Sequence, residues 1–225
     1  MTQQISRRAA LQAAAVGGAG LVATLAGCSG TGAPAATSTA SATTTNAPAS
    51  AGRRTLVAFF SRAGENYYYG GRTHLVVGNT ELVAGMIRDR AGADLYKIEP
   101  ADPYSDSYDE AVDRNREEQA SNAMPAITGA LPDIEPYDVV ILGSPVWSSR
   151  APRIMSTFVQ GVDLSGKTVL PVVTYAVSGM SGIDDFYRDA LPGARVERGL
   201  AVRGEEVREA GPIVDTRLRD HNLIS

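Results

Sequence analysis

Hydroxyl, amide and glycine residues cluster where a predicted strand is followed by a helix. The apolar residues 55–60 predict a buried strand, and the dipeptide Ser61-Arg62 follows it directly. The tripeptide Gly78-Asn79-Thr80 lies at the predicted start of the next helix. A strand, a turn rich in hydroxyls and glycine, and a helix N-terminus together present free backbone N–H groups to an anion. We therefore expect a phosphate group to bind here.

Two further loops follow predicted strands and carry candidate binding residues. Gly143-Ser144-Pro145-Val146-Trp147 contains the only tryptophan of the chain, a side chain suited to lie against a flat heterocycle. The alternative is that Trp147 packs under the following helix as part of the core. The loop from Thr174 through Ser178-Gly179 is small enough to bring backbone N–H groups to the polar edge of a ring. Ligands of open parallel sheets bind outside the carboxyl ends of the strands, where all three loops are predicted to lie.

A match to the phosphate loop of nucleoside triphosphatases has the wrong context. Residues 161–168 read G-x-x-x-x-G-K-T. That motif requires a preceding strand and a following helix, whereas here a predicted helix precedes it and a predicted strand follows. We interpret it as a tight turn.

Hydrolytic and metal chemistry have little support in the sequence. Ser178 has no nucleophile elbow and no visible histidine partner, so a hydrolase using it is the weakest hypothesis. The carboxylate pairs Asp184-Asp185 and Glu205-Glu206 are placed at predicted helix starts, where negative charge favours the helix dipole. His74 and His221 are isolated, so we expect no metal site.

The N-terminal residues predict export and lipid attachment. Residues 1–27 combine Arg7-Arg8, an uncharged apolar stretch and small residues before Cys28, the only cysteine. This pattern resembles a lipoprotein signal peptide of the twin-arginine type, with lipidation at Cys28. The alternatives are an ordinary secretory signal, an uncleaved membrane anchor and an incidental cysteine. Residues 28–52, rich in Ala, Thr, Ser and Pro, are typical of a disordered tether. The protein is therefore expected on the outer side of the cytoplasmic membrane, anchored only through lipid.

Residues 53–225 have the length of one domain and an acidic composition. Arg7 and Arg8 are the only charged residues before this domain, which therefore carries 19 basic and 25 acidic residues, a formal charge of −6. An acidic domain without a basic cluster argues against nucleic acid as a partner.

Strands and helices alternate along the domain, which indicates an α/β fold with a parallel sheet. The strands are predicted at residues 55–60, 94–98, 137–142, 168–174 and 195–202. The helices are predicted at residues 79–90, 108–121, 151–159, 182–191 and 205–219, with Gly211-Pro212 breaking the last. The charged residues of the helix at 108–121 are interpreted as a solvated face that implies no site.

The four segments 56–62, 78–81, 138–147 and 166–182, in this order and spacing, resemble the flavodoxin-like family. The resemblance implies a doubly wound, five-stranded parallel sheet in the order 2-1-3-4-5, with helices on both faces. It also implies that the domain binds flavin mononucleotide (FMN). Its phosphate would be held by the first two loop segments, its ring would lie along the Trp147 loop, and its pyrimidine edge would approach the loop after strand four. The cofactor residues implied are Ser61, Arg62, Gly78, Asn79, Thr80, Ser144, Pro145, Val146, Trp147, Thr174, Ser178 and Gly179.

The sequence departs from the family pattern in two places, and both affect how the family's cofactor residues are assigned to this chain. Residues 63–77 are inserted in the phosphate loop and must fold outward, as a hairpin or flap, if its two halves are to meet. A second stacking aromatic is not evident, although Tyr175 is a candidate.

The resemblance implies an electron-transfer protein or a small flavin-dependent, quinone-reductase-like enzyme, with a redox donor and acceptor that the sequence does not identify. Because the flavin carries the chemistry, no catalytic side chain is predicted. An acidic domain around the ring disfavours an anionic reduced flavin, so we expect a low potential. The alternative is a lipoprotein binding module that keeps the fold without the flavin.

Overall fold

Strands alternate with helices from Arg53 onward. The computed structural model describes residues 53–225, so the predicted signal peptide, Cys28 and the tether lie outside the described residues. The strands are β1 (Thr55–Phe59), β2 (Gly64–Tyr68), β3 (Gly71–Leu75), β4 (Asp94–Lys97), β5 (Val139–Pro145), β6 (Thr168–Tyr175), β7 (Arg195–Val196) and β8 (Leu200–Arg203). The helices are α1 (Asn79–Ala91), α2 (Tyr108–Ser121), α3 (Arg153–Gly161), α4 (Ile183–Ala190) and α5 (Gly211–Asp220), with a 3-10 helix at Gly204–Glu209.

The main sheet is parallel and has the predicted strand order. Its strands lie in the order β4-β1-β5-β6, and both β7 and β8 pair with β6. The register places Val57 beside Ile141, and Ile141 beside Leu170. These central strands are buried on both faces, which explains their nearly continuous apolar sequences. The flavodoxin-like order 2-1-3-4-5 is confirmed.

Helices cover both faces of the sheet and give the domain two apolar layers. On one face, Val83 and Ile87 of α1 and Val214 of α5 pack against the strands. On the other face, Phe158 of α3 and Tyr187 of α4 occupy the corresponding layer. The sheet is therefore doubly wound, as predicted.

The fifth strand differs from the prediction of one continuous strand over residues 195–202. Val169 faces Val196, and Val172 faces Leu200, so β7 and β8 enclose one more residue than the facing part of β6. This extra residue makes a bulge that divides the strand. Gly199 lies at the bulge, where an added Cβ would be 3.0 Å from the Pro171 carbonyl oxygen and nearer still to Met180.

The inserted residues 63–77 form an antiparallel hairpin of β2 and β3. Tyr69 and Gly70 make its two-residue turn, both with positive φ (43° and 86°), as hairpin turns of this length favour. Gly64 begins the hairpin at φ +79°, and its missing side chain allows contact with the backbone of Asp106. The insertion therefore forms a hairpin, one of the two forms predicted from the sequence.

Other boundaries follow local sequence rules. The G-x-x-x-x-G-K-T segment runs from the end of α3 into β6, the reverse of a nucleotide loop. The predicted last helix is broken near Gly211-Pro212 into the 3-10 helix and α5. Among residues 53–225, no helix combines the length and apolar character needed to cross a bilayer.

Candidate functional site

A cavity of about 320 Å³ lies at the carboxyl ends of the central strands. Its sides come from the loops after β1, β5, β6 and β8, from one face of α2, and from the hairpin. The lining residues are Ser61, Arg62, Asn66, Tyr67, Asn79, Thr80, Tyr108, Ala111, Val112, Asn115, Arg116, Pro145, Val146, Trp147, Ser148, Thr174, Tyr175, Ala176, Gly204 and Glu205. This is the position at which open parallel sheets bind ligands.

The two halves of the interrupted loop meet at Gly78. A Cβ added to Gly78 would lie 2.2 Å from the Ser61 hydroxyl and 2.6 Å from the carbonyl oxygen of Arg62. Only a glycine allows this approach. Helix α1 begins directly afterwards, at Asn79, so its first N–H groups have no intrahelical acceptor. An anion at this end of the cavity would therefore meet a helix N-terminus.

The side chains of Ser61 and Arg62 are already engaged within the protein. The Ser61 hydroxyl accepts a hydrogen bond from the backbone N–H of Glu81 at 3.1 Å. The Arg62 guanidinium donates to the carbonyl oxygens of Ser105, at 2.8 Å, and of Glu65. Burial lowers the pKa of Arg62, while the charges of Asp106 and Glu65 act in the opposite direction. These side chains shape the loop more than they offer charge to a ligand.

A buried hydroxyl pair joins α1 to the end of β6. Thr80 and Thr174 are 2% and 4% exposed, and their Oγ1 atoms lie 2.7 Å apart. Asn79 packs beside Gly204, where an added Cβ would lie 2.5 Å from its Nδ2. The helix N-terminus is therefore fixed against two neighbouring strand ends.

Trp147 lines the cavity and is half-buried between two other aromatic rings. Its ring meets those of Phe60 and Tyr104 edge-on, at centroid distances of 5.4 and 5.0 Å. Its backbone exchanges hydrogen bonds with Arg150 around a tight turn in which Ser148 and Ser149 both have positive φ. Trp147 was interpreted either as a ring-binding residue or as part of the core. Each interpretation describes part of its position, because Trp147 packs on the core and also lines the cavity.

Helix α2 contributes one face to the cavity. Tyr108, Ala111, Val112, Asn115 and Arg116 follow helical spacing and line it together. Asn115 is 2% exposed and its Nδ2 donates to the Ser148 hydroxyl at 3.2 Å. Its Oδ1 is buried and has no hydrogen-bond partner within residues 53–225. The charged residues of this helix are mostly solvated, as interpreted from the sequence. Its cavity face, with Tyr108, Val112 and Asn115, was not assigned to a site from the sequence.

The hairpin covers the cavity and is fixed on both sides. Arg72 binds Asp109 of α2 through two hydrogen bonds, of 2.6 and 2.9 Å, and its guanidinium lies 4.6 Å from the centre of the Tyr108 ring. At the other side, the backbone N–H of Tyr69 donates to Glu205 Oε1 at 3.0 Å. The hairpin thus spans from α2 to the 3-10 helix.

The structure separates the predicted binding residues into two groups. Those that line the cavity are Ser61, Arg62, Asn79, Thr80, Pro145, Val146, Trp147 and Thr174. Those that do not line it are Gly78, Ser144, Ser178 and Gly179. Gly78 and Ser144 are buried beneath the loops, whereas Ser178 is exposed and its carbonyl accepts from the Ser181 hydroxyl at 2.8 Å.

Sequence reasoning missed the residues contributed by the hairpin, by α2 and by the loop after β8. Tyr108, Val112 and Asn115 share one helical face, a spacing that is visible in the sequence but common to many helices. Glu205 lies two residues after the end of β8, and that position near a strand's carboxyl end was a usable signal. No cluster of His, Cys, Asp and Glu in the described part of the chain is arranged to hold a metal ion.

The doubly wound parallel sheet, with helices on both faces, has the flavodoxin-like fold. The sequence profile of the flavodoxin family matches residues 73–211, more than half of the chain, so the protein belongs to this family. No curated protein matches the chain.

Several solved structures are similar to this chain. A protein from Bacteroides uniformis that is assigned as a flavoprotein is 26% identical, with a TM-score of 0.58, and the match covers 73% of this chain and 99% of that one. A protein from Bacteroides eggerthii with the same assignment is 28% identical, with a TM-score of 0.56 and coverage of 72% and 98%. A flavoprotein from Lactobacillus acidophilus, crystallised in complex with FMN, is 19% identical, with a TM-score of 0.51 and coverage of 70% and 97%. The similarity to the Lactobacillus acidophilus structure concerns the fold alone.

Proposed function

We propose that the domain binds FMN in the cavity and acts in electron transfer, either as a carrier or as a small flavin-dependent reductase. The observation that carries this proposal is one cavity that is lined both by the first residues of α1 and by Trp147. Membership of the flavodoxin family and the FMN complex of the Lactobacillus flavoprotein support it.

The residues present fit a flavin nucleotide. The backbone N–H groups of Asn79 and Thr80 would hold the phosphate. Pro145, Val146 and Trp147 would lie along the ring. The buried Oδ1 of Asn115, which has no partner in the described chain, would accept a hydrogen bond from the ligand.

FMN, when bound, supplies the transfer of one or two electrons. The protein positions it and sets its surroundings. The hairpin and α2 would shield the bound ring, since both line the cavity. A domain with a formal charge of −6 disfavours additional negative charge on the ring. A low reduction potential follows.

A flavin titration tests the proposal, because the only tryptophan lines the cavity. Adding FMN to residues 53–225 should quench the Trp147 emission and produce bound-flavin absorption, with both signals saturating at about one flavin per chain. Replacing Asn79 and Thr80 together by Ala removes the two side chains that fix the N-terminus of α1 against the neighbouring strand ends. The phosphate-binding N–H groups should then be displaced, and FMN binding should weaken. Ser178→Ala, an exposed change outside the cavity, is the matched control and should bind as the wild type does. A folded, colourless wild type that ignores FMN contradicts the proposal.

A second candidate is a binding module without flavin. It is favoured by the side chains of Ser61, Arg62 and Thr80, whose polar groups already have partners within the protein. Under this hypothesis the wild type does not bind flavin, and neither does the variant in which Asn79 and Thr80 are both replaced by Ala.

We also propose that the protein is exported, by the twin-arginine route, and attached through a lipid on Cys28 to the outer side of the cytoplasmic membrane. The support is the sequence of residues 1–28. In cells that make the full chain, Cys28→Ser should move the protein from the membrane fraction to the soluble fraction, and Arg7→Lys with Arg8→Lys should stop export. An unchanged distribution of both variants contradicts this.

A further inference from the structure

Glu205 lines the cavity, and its carboxylate is almost completely shielded from solvent. The side chain of Glu205 is 2% exposed. Its Oε1 accepts from the Tyr69 backbone N–H, and its Oε2 is buried without a hydrogen-bond partner within residues 53–225. Because solvent and salt screen such a group poorly, its field acts on whatever occupies the cavity.

Glu205 lies on the same side of the cavity as the N-terminus of α1. The preceding residue, Gly204, contacts the side chain of Asn79, since an added Cβ there would be 2.5 Å from Nδ2. Asn79, Thr80, Gly204 and Glu205 line the cavity together. A phosphate held by the α1 N–H groups would therefore have this carboxylate as a neighbour.

The cations nearby compensate this charge only in part. Arg203 Nε lies 3.9 Å from Glu205 Oε2, but the Arg203 side chain is 39% exposed and its Nε also donates to the Ala176 carbonyl oxygen at 3.4 Å. Arg62 lines the same cavity and is bound to backbone carbonyls. Glu206, the next residue, is exposed and adds a further negative charge.

We infer that Glu205 determines how strongly the cavity distinguishes a flavin with a 5′-phosphate from one without it. Its carboxylate repels the phosphate dianion and leaves the uncharged ribityl flavin unaffected, so it moderates the affinity for FMN relative to riboflavin. This inference rests on the proposed flavin site and assigns it a specificity residue.

The test compares dissociation constants for FMN and riboflavin, measured by Trp147 fluorescence on residues 53–225. Glu205→Gln keeps an oxygen that can accept from the Tyr69 N–H while removing the charge. It should tighten FMN binding about tenfold, which corresponds to about 1.4 kcal/mol, and leave riboflavin binding unchanged. Glu206→Gln is the matched control at the exposed neighbour and should change the ratio of the two constants by less than about twofold, since exposed charges are well screened.

A second variant tests the inference in the opposite direction. Arg203→Gln removes the partial counter-charge and should weaken FMN binding while sparing riboflavin. Equal changes for both flavins in Glu205→Gln would assign the residue to ribityl contact or to general shape, and overturn the inference. Equal ratios in the Glu205→Gln, Arg203→Gln and wild-type proteins would also overturn it. A wild type that binds neither flavin refutes the proposed function itself, a result distinct from wild-type binding with an unchanged ratio.

Discussion

The Ser61 hydroxyl accepts a hydrogen bond from the backbone N–H of Glu81, with 3.1 Å between Oγ and N. Ser61 follows β1 and Glu81 lies in the first turn of α1, and the hairpin separates them in sequence. The local N-cap, Gly78, has no side chain to bond an N–H group of that turn. Ser61, although distant in the sequence, therefore supplies the hydrogen-bond acceptor that an N-cap side chain normally provides.

Gly78→Ala tests the junction between the two halves of the loop. The added Cβ would overlap the Ser61 hydroxyl and the Arg62 carbonyl oxygen, so the halves must separate. We expect a loss of about 1–3 kcal/mol in the free energy of unfolding, measured by urea denaturation, together with weaker flavin binding.

Gly85→Ala is the control for that substitution. Gly85 lies within α1 and an added Cβ would contact nothing within 4 Å. Since Gly in a helix is less favourable than Ala by about 0.5–1 kcal/mol, this variant should be slightly more stable. Equal stability of the Gly78 and Gly85 variants would show that the loop tolerates the separation.

The hydroxyl pair of Thr80 and Thr174 gives a double-mutant cycle. Thr80→Val or Thr174→Val alone leaves the other buried hydroxyl unpaired, and each should cost about 1–3 kcal/mol of unfolding free energy. Replacing both removes both polar groups and should cost less than the sum of the single changes. Strict additivity in thermal or urea denaturation would indicate that the two hydroxyls do not depend on each other.

Arg72→Met tests the attachment of the hairpin to α2. The substitution removes the hydrogen bonds to Asp109 and the guanidinium over Tyr108, so the hairpin should open more often. We expect faster hydrogen exchange in β2 and β3 and faster flavin release, with little change in global stability because exposed ion pairs contribute little. Arg88→Met, which removes the exposed pair with Asp89 away from the cavity, is the control and should change neither rate.

His221 predicts a pH dependence of stability. Burial lowers its pKa below the usual value of 6.5; Arg217 and Arg53 act in the same direction, while Glu197 and Asp220 oppose it. With the folded pKa below the unfolded one, the unfolded chain binds the proton more readily. This contribution to stability is therefore present above about pH 6.5 and is lost as the pH falls. His221→Gln should reduce the slope of melting temperature against pH between about pH 7 and 5; an unchanged slope would contradict the assignment.

The sheet and its helices could be predicted because their signals are local. The apolar residues of β1, β5 and β6 form uninterrupted runs, and Pro212 marks the break before α5. The bulge at Gly199 could not be predicted, since it depends on how the chain faces Pro171 in β6.

The candidate site was predictable only where it follows strand ends in the family pattern. Asn79, Thr80 and Trp147 satisfy that condition, and they line the cavity. Asn115 and Tyr67 reach it because α2 and the hairpin fold over the strand ends, a tertiary arrangement that spacing along the chain does not encode.

The parallel sheet has a polarity that also sets how the domain can be approached. Arg53 and Arg54 precede the amino end of β1, while the cavity lies at the carboxyl ends of β1, β5 and β6. An attachment through the preceding residues would therefore join the domain at the end of β1 that lies away from the cavity. If the proposed lipid anchor and flavin are both present, a redox partner in the surrounding water would reach the flavin directly. A partner embedded in the membrane would reach it only after the domain reorients.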